Sequence, residues 1–292
     1  MKKRRLTATS AFSHGTFIFL SALTILPLVL LVILSVTDQV SILENGYSFW
    51  PEKFTSEGYN YLFVTNTQIW ESYRTTIIVT VVGTIGATIV SSMLSYVLSR
   101  QGFRYNRFVS LFVFIPMIFH AGVIPSYMVN TQLYGLKNNI LVLIIPSLVS
   151  CWNVVLLRTF YQDLPGEVIE SALVDGANEF QIFYKVATPM AKPGVVTIAL
   201  LYMLSFWNQW TPSMIYITDS SKQTLQYYVY RLIQDSTLML EEAAMFGLDI
   251  SNIPADVVKY SAAVVVMGPT LLLFPFFQKY FVRGISSGAV KG

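Results

Sequence analysis

Six long apolar runs alternate with shorter polar stretches along the chain. They fall at about 12–36, 75–99, 109–129, 138–157, 195–217 and 258–281. Each is about 20 residues or longer, enough for a helix to cross the hydrocarbon core of a bilayer. In lipid every backbone polar group must be satisfied internally, which favours helices for runs of this length. The pattern predicts an all-α polytopic membrane protein, six transmembrane helices in a single domain over 1–292. Pro116, Gly122 and Pro125 interrupt the third run, so its outer end is expected to unwind. The first run follows Lys2-Lys3-Arg4-Arg5, as a signal peptide would. It is too long for a signal h-region and no Ala-x-Ala site follows, so it is read as a span.

The polar interval at about 161–194 carries unusually dense local signals. Pro165 suits a first helical position, with Glu167 in the favourable first turn. Gly176 suits a left-handed helix stop. A second short amphipathic helix fits 178–185, with Phe180, Phe183 and Tyr184 at i, i+3, i+4 on one side. Pro189 and Pro193 are expected to break the chain before the next apolar run. The expected result is a helix–turn–helix knob standing out from the membrane, suited to dock a soluble partner. The alternative is an amphipathic surface helix with no partner.

Composition agrees with the pattern. Hydrophobic residues make up 54% of the 292, charged residues 12%, and mean hydropathy is +0.56, against about 25% charged in soluble domains. Charge sets the orientation. One side holds Lys2–Arg5, Arg100, Arg104, Arg107, Arg158, Lys185, Lys192, Lys279, Arg283 and Lys291; the other holds Lys53, Arg74, Lys137, Lys222, Arg231 and Lys259. Both termini and the 161–194 knob are therefore expected in the cytoplasm of a multi-pass cell-membrane protein. The net charge of +3 follows from this bias and needs no nucleic-acid partner. Cys151, the single cysteine, excludes an intrachain disulfide.

Three further stretches carry candidate chemistry. The external loop at 37–73 holds Trp50, Tyr59, Tyr61, Phe63 and Trp70, read as interfacial packing. His120 is an ionisable group inside the third run, a functional candidate or a neutral histidine bonded to a neighbouring helix. The fifth run contains Tyr202, Phe206, Trp207, Asn208, Gln209 and Trp210, ahead of Pro212. Amides and tryptophans are costly against lipid. They fit a sugar path, where rings take C–H faces and amides fix hydroxyls, or an interfacial aromatic belt. The external loop at 218–257 is acidic and long enough for an amphipathic helix near 225–234. Contact with an external protein and a solvated face compete there.

Four stretches resemble one family, two strongly and two weakly. The polar interval resembles the EAA loop of binding-protein-dependent ABC importers: Glu-Ala-Ala, three residues, Gly, nine residues, Ile, one residue, Leu-Pro. Glu170, Ala172, Gly176 and Pro189 fall in register, while Ser171, Val186 and Thr188 replace the middle Ala, the Ile and the Leu. The ending Gln278-Lys-Tyr-Phe-Val-Arg-Gly284-Ile-Ser-Ser-Gly288-Ala-Val-Lys291-Gly292 is similar to that of maltose-type permease subunits. The Trp207-Asn208 pair and Asn60-Tyr61 resemble sugar permeases more weakly.

The resemblance implies the permease fold of a type I ABC importer for carbohydrate, of the branch that serves oligosaccharides from complex polysaccharides or glycans. It implies a homologous second permease, two cytoplasmic ATPases and an extracellular solute-binding protein. Glu170, Ala172, Asp175, Gly176, Phe180, Phe183, Tyr184 and Pro189 would couple to the ATPase. The tail at about 282–292, through Gly284, Gly288 and Lys291, would reach between the ATPases.

No phosphate-cradling Gly-x-x-x-x-Gly-Lys-Ser/Thr stretch, metal-ligand spacing or catalytic triad is present. The chain is expected to be non-catalytic and to bind no cofactor, with ATP and magnesium used by the partner ATPase. An ion-coupled secondary transporter is the alternative of another class. It would want intramembrane carboxylates, and the runs lack them. A permease for amino acids or peptides is the nearer alternative, disfavoured by the sugar-type tail.

Overall fold

The computed structural model describes the backbone of residues 8–119, 121–246 and 254–289; His120 and Lys291 lie outside these, as does the Lys2–Arg5 cluster. In chain order the first run forms α1 (Ala8–Leu34), followed by α2 (Gln39–Asn45) and α3 (Glu57–Asn60) in the loop. The second run lies in α4 (Gln68–Ser99). The third forms α5 (Asn106–Ile118), α6 (Val123–Met128) and a π turn, Val129–Leu133. The fourth begins as two 3₁₀ turns, Ile140–Leu143 and Ile145–Ser147, and continues as α7 (Cys151–Gln162). The polar interval holds α8 (Gly166–Val174), α9 (Glu179–Ile182), a π turn Phe183–Ala187 and α10 (Thr188–Met190). The fifth run forms α11 (Lys192–Trp207) and α12 (Thr211–Tyr216). After them come α13 (Leu225–Met245) and α14 (Ala255–Ala289), which contains the sixth run.

The fold is all-α; among the described residues the one strand-like feature is an isolated antiparallel bridge, Thr37 to Phe54. Two helical stretches, Phe12–Leu34 and Gln68–Ser99, are each long and apolar enough to cross a membrane whole. The third and fourth runs are broken helices, long and apolar enough to cross a membrane only when the two pieces of each are taken together. The break in the third was expected, and Gly122 sits there at φ +86°. The break in the fourth was not: its two pieces, Ile140–Ser147 and Cys151–Gln162, bend by 46°, and the second starts afresh at Ser150, whose extended backbone and side chain cap it through the Asn153 N–H. The fifth run is broken too. At 16 residues, α11 rises about 24 Å, short of the roughly 30 Å core, and α12 extends it after a gap at Asn208–Trp210. The sixth differs in the other direction. The backbone stays helical through Ala289, past the end of the apolar run near 281, and the helix continues through Pro269 and Pro275.

The chain packs as two compact units: the residues up to Thr67 with Val229–Gly268, and Gln68–Tyr228 with the chain from Pro269 on. In the first unit Leu34, Ile42, Val257 and Tyr260 form a small buried cluster, with Leu30 and Leu31 against it. Ser35 ties three segments together: its Oγ shares a hydrogen bond with the Tyr59 hydroxyl (2.8 Å), and its carbonyl accepts from Ser261 Oγ (2.9 Å). Gln39 caps the start of α14, accepting from the Val257 N–H at 3.2 Å. Further up α1, Phe17, Ile18 and Phe19 are 66–70% exposed, an apolar face that suits lipid. Trp50 is fully open to the surroundings rather than packed on its own chain.

The second unit is built on α4, α7 and α11. Val79, Ala87, Leu157, Ile198, Tyr202 and Phe206 are buried among them. Gly83 is required here, because a Cβ on it would meet Phe206 Cζ at 2.7 Å. The missing side chain lets the Phe206 ring lie flat on α4. Ile169, Ile182 and Ala187 of the polar interval are buried in the same core, so the knob is anchored to the three helices by apolar contact.

Candidate functional site

The polar interval forms the expected helix–turn–helix, with two differences of register. The first helix starts at Gly166, and Pro165 precedes it as the cap residue at ψ 122°. The helix ends as the sequence indicates. Gly176 has φ +81°; its N–H donates to the Leu173 carbonyl (3.0 Å) and that of Ala177 to the Ala172 carbonyl (3.0 Å). This is a Schellman stop, which needs the left-handed conformation at Gly176. Asn178 and Gln181 then form a reciprocal capping box that starts the second helix.

That second helix does not end before Pro189. It widens into the π turn, where the Thr188 N–H reaches back to the Phe183 carbonyl. Pro189 has no N–H to give and its ring would strike the carbonyl four residues back in a tight helix. The extra residue of the π turn takes up that misfit and lets the helix run to Met190. The chain then turns by 84° into α11.

The π turn also redistributes the aromatic trio. Phe180 and Tyr184 are each 67% exposed, but Phe183 does not share their face. Its ring lies 5.3 Å from that of Tyr96 and 6.5 Å from that of Tyr161. The exposed surface is instead Val174, Phe180 and Tyr184, bordered by Glu167, Glu170, Asp175 and Lys185. Glu170 is exposed, and among the described residues no hydrogen bond or ion pair claims its carboxylate. Ala172 faces the core, and Pro189 is exposed. Exposed apolar side chains together with charged ones, on an anchored knob, make this a candidate surface for another protein.

Glu179, which the sequence reading did not single out, holds the knob to α4. Its Oε1 accepts from Arg100 Nη2 (3.1 Å) and its Oε2 from the Tyr96 hydroxyl (2.8 Å). On the other side the Tyr161 hydroxyl pairs with Thr188 Oγ1 at 3.1 Å. The only signal in the sequence was a lone carboxylate opposite a basic turn, too common to select.

The fifth-run candidates divide. Tyr202 and Phe206 are core residues, 2% and 1% exposed. The Tyr202 hydroxyl bonds Ser91 Oγ (2.6 Å) and accepts from the Ser150 N–H (2.8 Å), tying α4, α7 and α11 together. Trp207 is buried and borders an open groove of about 410 Å³ with Ile77, Thr80, Val81, Thr84, Ile85 and Met203, whose open lining is carbon. Such a groove offers nothing to a sugar hydroxyl.

Asn208, Gln209 and Trp210 form the helix break. Asn208 is exposed, and its Oδ1 accepts from Gln226 Nε2 (3.2 Å). Gln209 Nε2 donates to the Leu143 carbonyl (3.1 Å), which ties the break of the fifth run to the first 3₁₀ turn of the fourth. Thr224 Oγ1 in turn serves the Gln209 carbonyl at 2.9 Å. Interrupted helices tolerated in a membrane line a cavity or another protein rather than lipid. Nearby, Asp219 accepts from Ser221 Oγ and N–H and pairs with Lys222, which holds its carboxyl below the usual carboxylate range.

Comparison with known proteins bears on the chain as a whole. Residues 88–287 match the family described as binding-protein-dependent transport system inner membrane component. The polygalacturonan/rhamnogalacturonan transport system permease protein YtcP of Bacillus subtilis is 30% identical, over 96% of this chain and 96% of its own. The arabinooligosaccharides transport system permease protein AraQ of Halalkalibacterium halodurans is 25% identical over 94% of each. Among solved structures, a chain of a bacterial ABC transporter involved in the import of the acidic polysaccharide alginate superposes with a TM-score of 0.82. It is 25% identical, with 96% of this chain and 99% of that one covered.

Proposed function

Because the chain belongs to the family of binding-protein-dependent transport system inner membrane components, we propose that it is a permease subunit moving oligosaccharides derived from complex polysaccharides through the membrane. The chain pairs with a second, homologous permease. Two ATPases supply the energy, using ATP and magnesium, and an extracellular solute-binding protein delivers the sugar. Both termini and the 161–194 knob face the cytoplasm.

The observation that carries this reading is the knob. Its exposed Val174, Phe180 and Tyr184 with the unengaged Glu170 form a docking surface, on a segment whose Glu170, Ala172, Gly176 and Pro189 keep the spacing of an EAA loop. The Schellman stop at Gly176 and the π turn before Pro189 hold the two arms of the knob at a fixed angle, so a push from an ATPase is passed on rather than absorbed. Ile169, Ile182 and Ala187 connect the knob to α4, α7 and α11. The sugar passes the helix break, where Asn208 and Gln226 present amides beside Trp210 and can exchange their mutual hydrogen bond for sugar hydroxyls. Trp207, Tyr202 and Phe206 hold the walls.

The test is uptake in vesicles carrying the complete transporter. Labelled oligogalacturonide or arabino-oligosaccharide should accumulate only with ATP inside and binding protein outside. Accumulation driven by a proton or sodium gradient without ATP would overturn the reading.

A further inference from the structure

The knob has a deep apolar anchor and, separately, a charged attachment at its edge. The attachment joins Glu179, the first residue of α9, to the end of α4. Arg100 Nη2 donates to one carboxylate oxygen (3.1 Å) and the Tyr96 hydroxyl to the other (2.8 Å), while the Arg100 guanidinium also lies 5.9 Å from the centre of the Tyr96 ring. The pair is open: the Glu179 side chain is 60% exposed and that of Arg100 28%. Ion pairs this open add little to the stability of a fold, and Ile169, Ile182 and Ala187 already secure the knob. Holding the fold together is therefore a poor account of why both oxygens are engaged. Beside the pair lies a hollow of about 430 Å³ bordered by Tyr96, Val97, Arg100, Gly102, Phe103 and Glu179. The joint therefore borders open space on that side. What the carboxylate fixes is the position of the knob's outer arm against α4, which packs along α11 and carries Gly83 under Phe206.

We propose that Glu179, Arg100 and Tyr96 form a breakable joint through which displacement of the knob is transmitted to α4. Glu179 and Arg100 are positioning residues: they touch neither sugar nor nucleotide. The proposal rests on the importer reading for what pushes the knob, but the joint itself is a property of this chain.

The experiment uses the complete transporter and two readouts. The first is sugar imported per ATP hydrolysed in vesicles. Glu179→Gln keeps the acceptor for Tyr96 and removes the charge; Arg100→Ala removes the guanidinium. Each should lower the ratio by about three- to tenfold, and the reversed pair Arg100→Glu with Glu179→Arg should recover it to within about twofold. The second is amide exchange of residues 178–190. It should quicken in each single variant and return in the reversed pair. Wild-type ratios in both single variants overturn the joint. So does a reversed pair no better than the singles, since a merely structural carboxylate would give that result. If wild-type vesicles import no oligosaccharide with ATP, the importer reading fails. The exchange arm then decides the joint alone, unchanged protection in Arg100→Ala overturning it.

Discussion

A side chain at position 176 would have to accept φ +81°, at a cost of about 1–2 kcal/mol. Nothing lies within 4 Å of the missing Cβ, so the cost is conformational rather than steric. Gly176→Val should leave the protein inserted but lose both the Schellman bonds and the angle of the knob, with uptake falling about tenfold or more. Recovery of intact protein from the membrane alongside an uptake assay checks this. Glu170 gives the complementary case. With no partner for Glu170 among the described residues, Glu170→Lys should move thermal stability by less than about 0.5 kcal/mol. It should still reduce co-purification of the ATPase, because a charge facing the wrong sign across an interface is repelled. Full retention of the ATPase would remove Glu170 from the docking surface. In the fifth run Trp207 and Asn208 should separate. Trp207→Ala empties buried space and costs about 3–5 kcal/mol, seen as lost assembly. Asn208→Ala leaves the fold intact and lowers uptake. Equal loss of assembly in both would make Asn208 structural too. Residue type alone did not distinguish them, since burial depends on how the helix ends.

At the scale of elements, the sequence announced where helices stop better than where spans break. Gly176 and the Gly122 interruption rest on backbone rules that act locally, and both stand where expected; the Asn178–Gln181 box follows a local rule too but was not singled out in the sequence. The breaks in the fourth and fifth runs were less legible, because an apolar run reads the same whether its helix is whole or interrupted. Pro146 and Pro212 were the available signals. The π turn was invisible. It depends on the conflict between Pro189 and the carbonyls before it, resolved by one extra residue in the turn, and it sends Phe183 inward while Phe180 and Tyr184 stay out. The break at Asn208–Trp210 exposes backbone that something must satisfy. Thr224 does so for the Gln209 carbonyl, with its own N–H donated to Ser213 Oγ at 3.1 Å. Thr224→Val keeps the shape and orphans that carbonyl, at about 1–3 kcal/mol. The expected result is a lower melting temperature in detergent with the knob still able to bind ATPase. An unchanged melting temperature would mean that water already serves the carbonyl.

For the molecule as a whole, the two best-matched stretches of sequence lie far apart, at the knob and at the C-terminus, and both belong on the cytoplasmic face in the proposed orientation. The sequence pattern placed the end of the sixth apolar run near 281. The backbone stays helical to Ala289, which puts Gly284 and Gly288 one turn apart on the same side of α14. Two glycines at that spacing allow another helix or strand to approach its backbone closely. A single helix joining the sixth span to the tail also changes what the tail can do. A coil would tether the ATPases loosely, whereas a helical extension reports the position of the span to whatever it touches. Removal of residues 285–292 should therefore spare insertion and permease pairing while weakening the ATPase contact, chiefly through faster dissociation. Gly288→Leu should do the same with the tail still present, because it fills the face along which the partner would approach. Surface-captured transporter, with ATPase dissociation followed over time, separates these outcomes. If the truncated protein releases ATPase at the wild-type rate and imports sugar normally, the end of α14 has no partner.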